Sequence, residues 1–145
     1  MVNDAYIKLA PASEQQEITL QEVRELLTYY KEMTSKTGQQ LSWHYESAAF
    51  PYEFAETPEG KGKWFYLKSI DPDNYRYIFF AVDTDEKDDD NSTNKQFYIQ
   101  VTLSDDSTHG DKGKANEFCK FLAKKLKAEL HLFNGRVMYY YKQKA

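Results

Sequence analysis

The sequence predicts an α+β fold in which two helices pack on one face of an antiparallel sheet. Strand-like segments are clustered between two helix-like segments instead of alternating with them, and tight turn signals connect several of the strands. Each helix-like segment has one apolar stripe and one charged face, so each can cover the sheet only from outside. The predicted architecture is a two-layer sandwich in a single domain, residues 1–145.

The chain opens with a strand signal and then a strong helix signal. Residues 5–9 alternate apolar and polar side chains, as a strand does. Thr19 and Glu22 have the spacing of a capping box, in which the two side chains satisfy amides of the first helical turn. Gly38 suits the position after the last turn, so we expect a helix over residues 20–36. Its apolar stripe consists of Leu20, Val23, Leu26, Leu27, Tyr30 and Met33.

The next region mixes a strand with an irregular segment. Apolar residues alternate over 41–45 and predict a strand. Prolines and glycines then predict irregular structure over 48–63. We expect the aromatic side chains of that segment, Phe50, Tyr52 and Phe54, to cover part of the outer sheet face.

Three further strand signals follow in the centre of the chain. Residues 64–69 and 75–82 flank the turn sequence at 71–74 and predict a hairpin. An acidic loop is expected at 83–94, and a strand at 96–103.

The last third of the chain predicts a second helix and at least one strand. The helix is expected to begin between Asp111 and Gly113, with Asp111 as its cap. Its apolar stripe consists of Ala115, Phe118, Cys119, Leu122, Ala123, Leu126 and Leu130. Asn134 and Gly135 either end this helix or form the turn of a hairpin, and residues 136–141 are a strand in both cases.

Composition is that of a globular protein. The 145 residues are 16% aromatic and 29% charged, and the mean hydropathy is −0.80. The N-terminus lacks the features of a secretory signal, and one cysteine cannot form an internal disulfide, so we expect a cytoplasmic protein. A net charge of −4 disfavours a nucleic-acid-binding protein, and the lysines Lys120, Lys124 and Lys127 of the second helix do not outweigh it.

The residue types that carry catalysis show no productive spacing. Cys119 falls inside an apolar stripe, where a thiol packs as a small hydrophobic group. His44, His109 and His131 lack the spacing of zinc ligands. The acidic run at 83–91 fails the pattern of a calcium loop. We therefore expect no catalytic residue, no metal site and no cofactor.

A binding surface is the leading functional hypothesis. If the apolar alternate residues of the strands face the helices, then Tyr75, Tyr77, Phe79 and Tyr98 face away, although the opposite parity of the strand at 75–82 fits nearly as well. Phe121 lies on the polar arc of the second helix. These five aromatics are the candidate partner surface, either for a second copy of the chain in a homodimer or for another protein.

The alternative hypothesis is a small-ligand or active-site pocket between the sheet and the segment at 48–63. Its candidate residues are His44, Tyr45, Glu46 and Glu53, which are close in sequence and include an imidazole and two carboxylates.

Three stretches of the chain resemble a known family. They are residues 5–9, 18–43 and 48–54, and they resemble a small family of uncharacterised cytosolic proteins from Bacillus-type bacteria. The resemblance implies a bacterial cytosolic protein. Because that family has no assigned activity, the resemblance implies no catalytic or binding residues.

Overall fold

The computed structural model describes residues 4–10, 13–41, 50–56, 58, 63–70, 73–89 and 92–140, with the backbone alone described at 35–41, 85–89 and 92–95. These residues form two helices and seven strands. In chain order the elements are β1 (Asp4–Lys8), α1 (Leu20–Leu41), β2 (Tyr52–Ala55), β3 (Trp64–Ser69), β4 (Tyr77–Asp89), β5 (Ser92–Leu103), α2 (His109–Leu126), β6 (Glu129–His131) and β7 (Val137–Tyr139).

The strands form one antiparallel sheet in the order β2-β3-β4-β5-β1-β6-β7. The first strand of the chain is therefore inserted in the interior of the sheet, where Ile7 lies between Ile99 of β5 and Leu130 of β6. All three side chains are fully buried. Both helices pack on the side of the sheet that these residues face, which confirms the predicted α+β sandwich.

Strict alternation along the strands divides the sheet into a helix-covered face and an outer face. Ile78 and Phe80 of β4 point toward the helices and are fully buried, so the parity that we favoured for this strand is confirmed. The core continues into the helices, where the predicted stripe of α2 is buried from Ala115 to Leu126. Leu130, predicted as part of that stripe, is instead an inward residue of strand β6, because the helix ends at Leu126. The inward residues of the strands are Ala5, Ile7, Tyr52, Phe65, Leu67, Ile78, Phe80, Ile99, Val101, Leu103 and Leu130.

Helix α1 begins at the predicted capping box and ends later than predicted. The Thr19 amide donates to Glu22 Oε1 at 3.1 Å, and the Glu22 amide donates to Thr19 Oγ1 at 3.2 Å. The helix continues through Gly38 to Leu41, so the predicted end at residue 36 is wrong; a glycine inside a helix costs only about 1 kcal/mol. Met33, predicted to lie in the apolar stripe, is 41% exposed. The rest of the strand predicted at 41–45 lies outside the described residues.

The segment predicted to be irregular contains an edge strand. Residues 52–55 pair with β3, and Phe50 and Tyr52 are buried in the main core beneath the helices. The prediction that these aromatics cover the outer face is therefore wrong. The two-residue period was present at Phe50, Tyr52 and Phe54, but Pro51 and the neighbouring glycines obscured it.

The predicted acidic loop is the end of a long hairpin. β4 runs to Asp89 and β5 begins at Ser92, and the register places Glu86 opposite Lys95. Backbone pairing therefore continues well past the last core residue of β4. The prediction that 83–94 is a loop is wrong, because the ladder of hydrogen bonds needs no apolar side chains once neighbouring strands have fixed its register.

Helix α2 has its own capping box, one turn earlier than predicted. Thr108 is the N-cap, and Asp111, predicted as the cap, is the third residue of the helix. The Asp111 amide donates to Thr108 Oγ1 at 3.1 Å, and the Thr108 amide donates to Asp111 Oδ2 at 3.0 Å. A Cβ at Gly110 would come within 2.8 Å of the Asn74 carbonyl oxygen, so the β3–β4 turn packs directly on this helix end.

The C-terminal part of the described chain is a hairpin, which was one of the two arrangements left open. The helix ends at Leu126, and Lys127 adopts the left-handed conformation as its C-cap. Strands β6 and β7 then pair with each other. Gly135 supplies the turn with a φ of +87°, a conformation that side-chain-bearing residues rarely adopt.

Candidate binding surface on the outer sheet face

Four aromatic side chains are packed together on the outer face of β3 and β4. We call Trp64, Tyr66, Tyr77 and Phe79 the aromatic patch. Phe79 is at its centre, with its ring centroid 5.9 Å from that of Trp64, 5.5 Å from Tyr66 and 6.3 Å from Tyr77. All four side chains are half-buried. The helices of the described chain lie on the opposite face, so neither helix covers the patch.

The strand register explains why these rings meet. Tyr66 is directly opposite Phe79, and Trp64 is opposite Ala81, whose small side chain leaves room for the indole. Cross-strand neighbours on one face are close enough for aromatic contact, which contributes about 0.5–1.5 kcal/mol per pair beyond burial. Interplanar angles of 61° for Trp64–Phe79 and 66° for Tyr66–Tyr77 turn ring faces toward neighbouring rings. The patch is therefore a packed, uneven surface and not a flat stacking platform.

The other half of the outer face is mainly polar. On β1 and β5, Tyr6 and Tyr98 form one edge-to-face pair with centroids 5.7 Å apart. Beside them, Thr102 donates to Asp4 Oδ1 at 2.6 Å, and the Gln100 amide donates to the Thr102 hydroxyl at 3.4 Å. These three polar side chains are therefore hydrogen-bonded to one another on the sheet face.

A histidine and a glutamate lie next to each other on β6 at the edge of this polar half. His131 Nε2 is 3.4 Å from Glu129 Oε2, but the geometry is not that of a hydrogen bond, and Nε2 is buried without a hydrogen-bond partner. Across the register, Tyr6 is opposite His131, and Lys8 is opposite Glu129. Within the described ranges, no three histidine, cysteine or acidic side chains come together as metal ligands would.

Comparison with known families decides what the chain is related to. Residues 3–142 match the family described as a domain of unknown function, DUF1885. The chain belongs to this family. A crystal structure described as a protein of unknown function from Bacillus stearothermophilus is 40% identical to it, covering 87% of this chain and 91% of that chain with a TM-score of 0.52. A search of curated proteins found no match. The resemblance to an uncharacterised Bacillus-type family is confirmed.

In this DUF1885 chain, three of the five residues predicted for a partner surface lie on the outer face. Tyr77 and Phe79 belong to the aromatic patch, and Tyr98 lies in the polar half. Tyr75 does not join them, because it precedes β4 and packs on the helix side against Tyr52 at a centroid distance of 5.5 Å. Phe121 is on α2, where it packs against α1.

One of the four residues of the predicted pocket, Glu53, belongs to the described part of the chain. His44, Tyr45 and Glu46 lie outside the described residues. Glu53 is exposed on β2, on the outer side of the sheet, and the register places it opposite Lys68 of β3. The one described member of the predicted pocket thus borders the aromatic patch.

Sequence reasoning missed other residues of the outer face of the DUF1885 fold. Tyr6 and His131 were not assigned to it. Because Ala5, Ile7 and Leu130 point inward, alternation places the adjacent residues Tyr6 and His131 on the outer face. Val137 and Tyr139, which are 37% and 50% exposed, extend the face to its β7 edge. The signal for Tyr6 was present in the alternation of β1, whereas β6 and β7 are too short to carry a clear period.

The polar groups buried most deeply among the described residues are structural. Asp111 is fully buried and accepts from the Tyr52 hydroxyl at 2.5 Å and from the Arg76 amide at 2.9 Å. Burial, reinforced by this hydrogen bond, raises the pKa of Tyr52 far above its ordinary value, so the phenol is neutral and donates. Burial also raises the pKa of Cys119 to about 12, which keeps that thiol protonated.

Within the described residues, neither helix is long and apolar enough to cross a bilayer.

Proposed function

We propose that this DUF1885 protein acts by binding and not by catalysis, and that its outer sheet face binds a second copy of the chain. The observation that carries the proposal is the aromatic patch. Four large rings occupy the side of β3 and β4 that faces away from both helices, where a strand needs only polar or β-branched residues.

A second copy suits this face because the face can be self-complementary. A two-fold axis through the patch would set the rings of one copy against the same rings of the other. Exposed charges of both signs border the patch, with Glu53 on β2 and Lys68 on β3. The same axis can bring the lysine of one copy toward the glutamate of the other. Two sheets packed in this way would form a sandwich with its own apolar interior.

The buried reactive groups, a thiol and a carboxylate, give the alternative hypothesis of an enzyme less support than the aromatic patch gives to binding. Cys119 is enclosed in the core, and Asp111 is fully buried with its oxygens held by hydrogen bonds from protein donors. Neither group can reach a substrate without unfolding of the surrounding helix. We also assign the protein to the cytoplasm in this proposal, since reducing conditions suit a chain whose one cysteine is an unpaired thiol.

Solution mass measured by light scattering tests the proposal. The mass should rise from 17.1 kDa toward twice that value as concentration increases into the range of about 100 μM, where a weak dimer forms. Trp64 emission should shift to shorter wavelength over the same range, because the indole would leave water.

Variants separate the patch from the rest of the surface. Phe79→Thr keeps a good strand former at the centre of the patch and should raise the dimer dissociation constant at least about tenfold, since central aromatic anchors carry most of an interface. Tyr29→Thr is the matched control, because Tyr29 is 48% exposed on α1 and lies on the helix layer. A wild-type chain that remains monomeric at several hundred micromolar, or a dimer that Phe79→Thr leaves intact, contradicts the proposal.

A further inference from the structure

A groove lies between the two helices, in the helix layer and not on the outer sheet face. Its volume is about 440 Å³, and it is lined by Gln15, Glu22, Glu25, Leu26, Tyr29, Lys125 and Leu126. Volumes of this size are typical of small-molecule sites. The lining combines an apolar floor, an aromatic wall and a rim with two carboxylates, so it can recognise one particular chemistry.

The aromatic wall already holds a cation. Tyr29 and Phe121 are stacked with ring planes 21° apart, and Lys125 Nζ lies 4.9 Å from the Tyr29 centroid and 5.9 Å from that of Phe121. The described residues provide no carboxylate within ion-pair distance of this ammonium group. The ring faces therefore supply its main attraction, which identifies the wall as a cation-binding surface.

The acidic rim belongs to α1 and lacks an ion-pair partner among the described residues. Glu22 is committed to the helix cap, since Oε1 accepts from the Thr19 amide and Oε2 accepts from Gln15 Nε2 at 3.0 Å. The hydrogen bond from Gln15 is the main reason that the pKa of Glu22 is lowered, so this carboxylate is charged. Glu25 is exposed and accepts only a long bond of 3.5 Å from Gln21. Glu25 is therefore the acceptor that a ligand can use.

Leu126 is the last residue of α2 and lines the groove opposite α1. Its own carbonyl already accepts from the Glu14 amide at 2.9 Å, so Leu126 contributes apolar surface and no charge. An ammonium group near Glu25 thus meets one carboxylate beside an apolar floor. A hydrated metal ion could use this carboxylate but would gain nothing from the floor formed by Leu26 and Leu126.

We propose that the groove binds a free linear di- or polyamine. One ammonium group pairs with Glu25, the hydrocarbon chain lies on Leu26 and Leu126, and a second ammonium group competes with Lys125 for the face of Tyr29. The groove has room for a small flexible molecule. The charged and aromatic groups beside its apolar floor suit cations that are separated by methylene groups. This site is independent of the outer sheet face, so either proposal can fail alone.

Titration calorimetry with spermidine tests the inference on the full chain. Binding should be saturable with one spermidine per chain. Glu25→Gln should weaken it about threefold to fivefold, as expected for one partly solvated charge pair. Lys125→Met keeps the hydrocarbon stem but removes the competing cation, and should tighten binding about twofold or more. Glu32→Gln is the matched control, since it removes the same charge from an exposed position of α1 that does not line the groove.

Three results would overturn the inference. The first is equal weakening by Glu25→Gln and Glu32→Gln, which would mean diffuse attraction to an acidic protein. The second is the absence of saturable spermidine binding up to about 10 mM, the limit of a useful affinity. The third is a lysine-rich peptide that binds the groove more tightly than spermidine in the same buffer, which would assign the site to a protein segment.

Discussion

The buried carboxylate of Asp111 offers the sharpest test of how this fold is held together. It joins three elements, because it accepts from the Tyr52 hydroxyl of β2 at 2.5 Å, from the Arg76 amide before β4 at 2.9 Å and from the Thr108 amide of the α2 cap at 3.0 Å. The side chain is fully buried. Its partners are more than 30 residues away in sequence in two of the three cases, so the carboxylate fixes helix α2 to the sheet.

Asp111→Asn should destabilise the chain by about 3 kcal/mol. The asparagine side chain has one oxygen, which can still accept from the backbone amides of Thr108 and Arg76. Its NH₂ group then faces the Tyr52 hydroxyl, whose proton loses its acceptor. Hydrogen bonds to a charged group contribute about 1.5–3 kcal/mol, and an unsatisfied buried donor costs about 1–3 kcal/mol. For a chain of this length the melting temperature should fall by about 6–12 °C.

Urea unfolding followed by circular dichroism measures this loss, with Asp73→Asn as the control. Asp73 is exposed in the turn between β3 and β4, so the same substitution there should change the unfolding free energy by less than about 0.5 kcal/mol. Tyr52→Phe should cost about 2 kcal/mol, and the double variant should cost about 1–2 kcal/mol less than the sum, because both single changes remove the same bond. A loss below about 1 kcal/mol for Asp111→Asn, or strictly additive variants, would refute the assigned role.

Three other predictions concern the helix cap, the cysteine and a turn. Because the bond from Gln15 holds the pKa of Glu22 below its ordinary value of 4.5, its stabilisation is complete above that pH and is lost as pH falls through the folded pKa. Glutamine can keep the capping box but removes the charge near the helix N-terminus, so Glu22→Gln should cost about 0.3–1 kcal/mol at neutral pH, and its pH-dependent unfolding curves should converge with those of the wild type in acid. Cys119, with its pKa raised to about 12, should react with a thiol reagent only as fast as the chain unfolds, and at once in concentrated urea. Gly135→Ala should cost about 1–2 kcal/mol in the same assay because of its φ of +87°, whereas Gly113→Ala, at an open helical position, should stabilise by about 0.5–1 kcal/mol.

The sequence predicted the elements whose signals are local. The capping box at Thr19, the apolar stripe of α2 as far as Leu126 and the strand at 64–69 are all found where their residue patterns placed them. The same logic would have located the start of α2, because Thr108 and Asp111 repeat the spacing of Thr19 and Glu22. That pattern was missed because an aspartate replaces the usual glutamate or glutamine at its third position.

Elements that depend on tertiary pairing could not be predicted in this way. The sequence of the outer part of the β4–β5 hairpin is polar and rich in acidic residues, so it shows no hydrophobic period, and only its continuation from a paired core fixes it as strand. The position of β1 between β5 and β6 is likewise a property of the whole sheet. The groove between α1 and α2 depends on how two helices pack, which a single sequence does not specify.

The two halves of the outer sheet face differ in a way that bears on the binding proposal. The β1–β5 half carries one aromatic pair, Tyr6 and Tyr98, and otherwise polar residues: Thr102, Asp4 and Gln100 bind one another through hydrogen bonds. The β3–β4 half belongs to the same sheet and has the same parity, yet it carries the aromatic patch. Sheet stability alone does not explain the contrast, since threonine is also a good strand former. Large rings at such positions raise the risk of aggregation without improving the core, so the dimer that we propose, in which these rings would be buried, gives them a role.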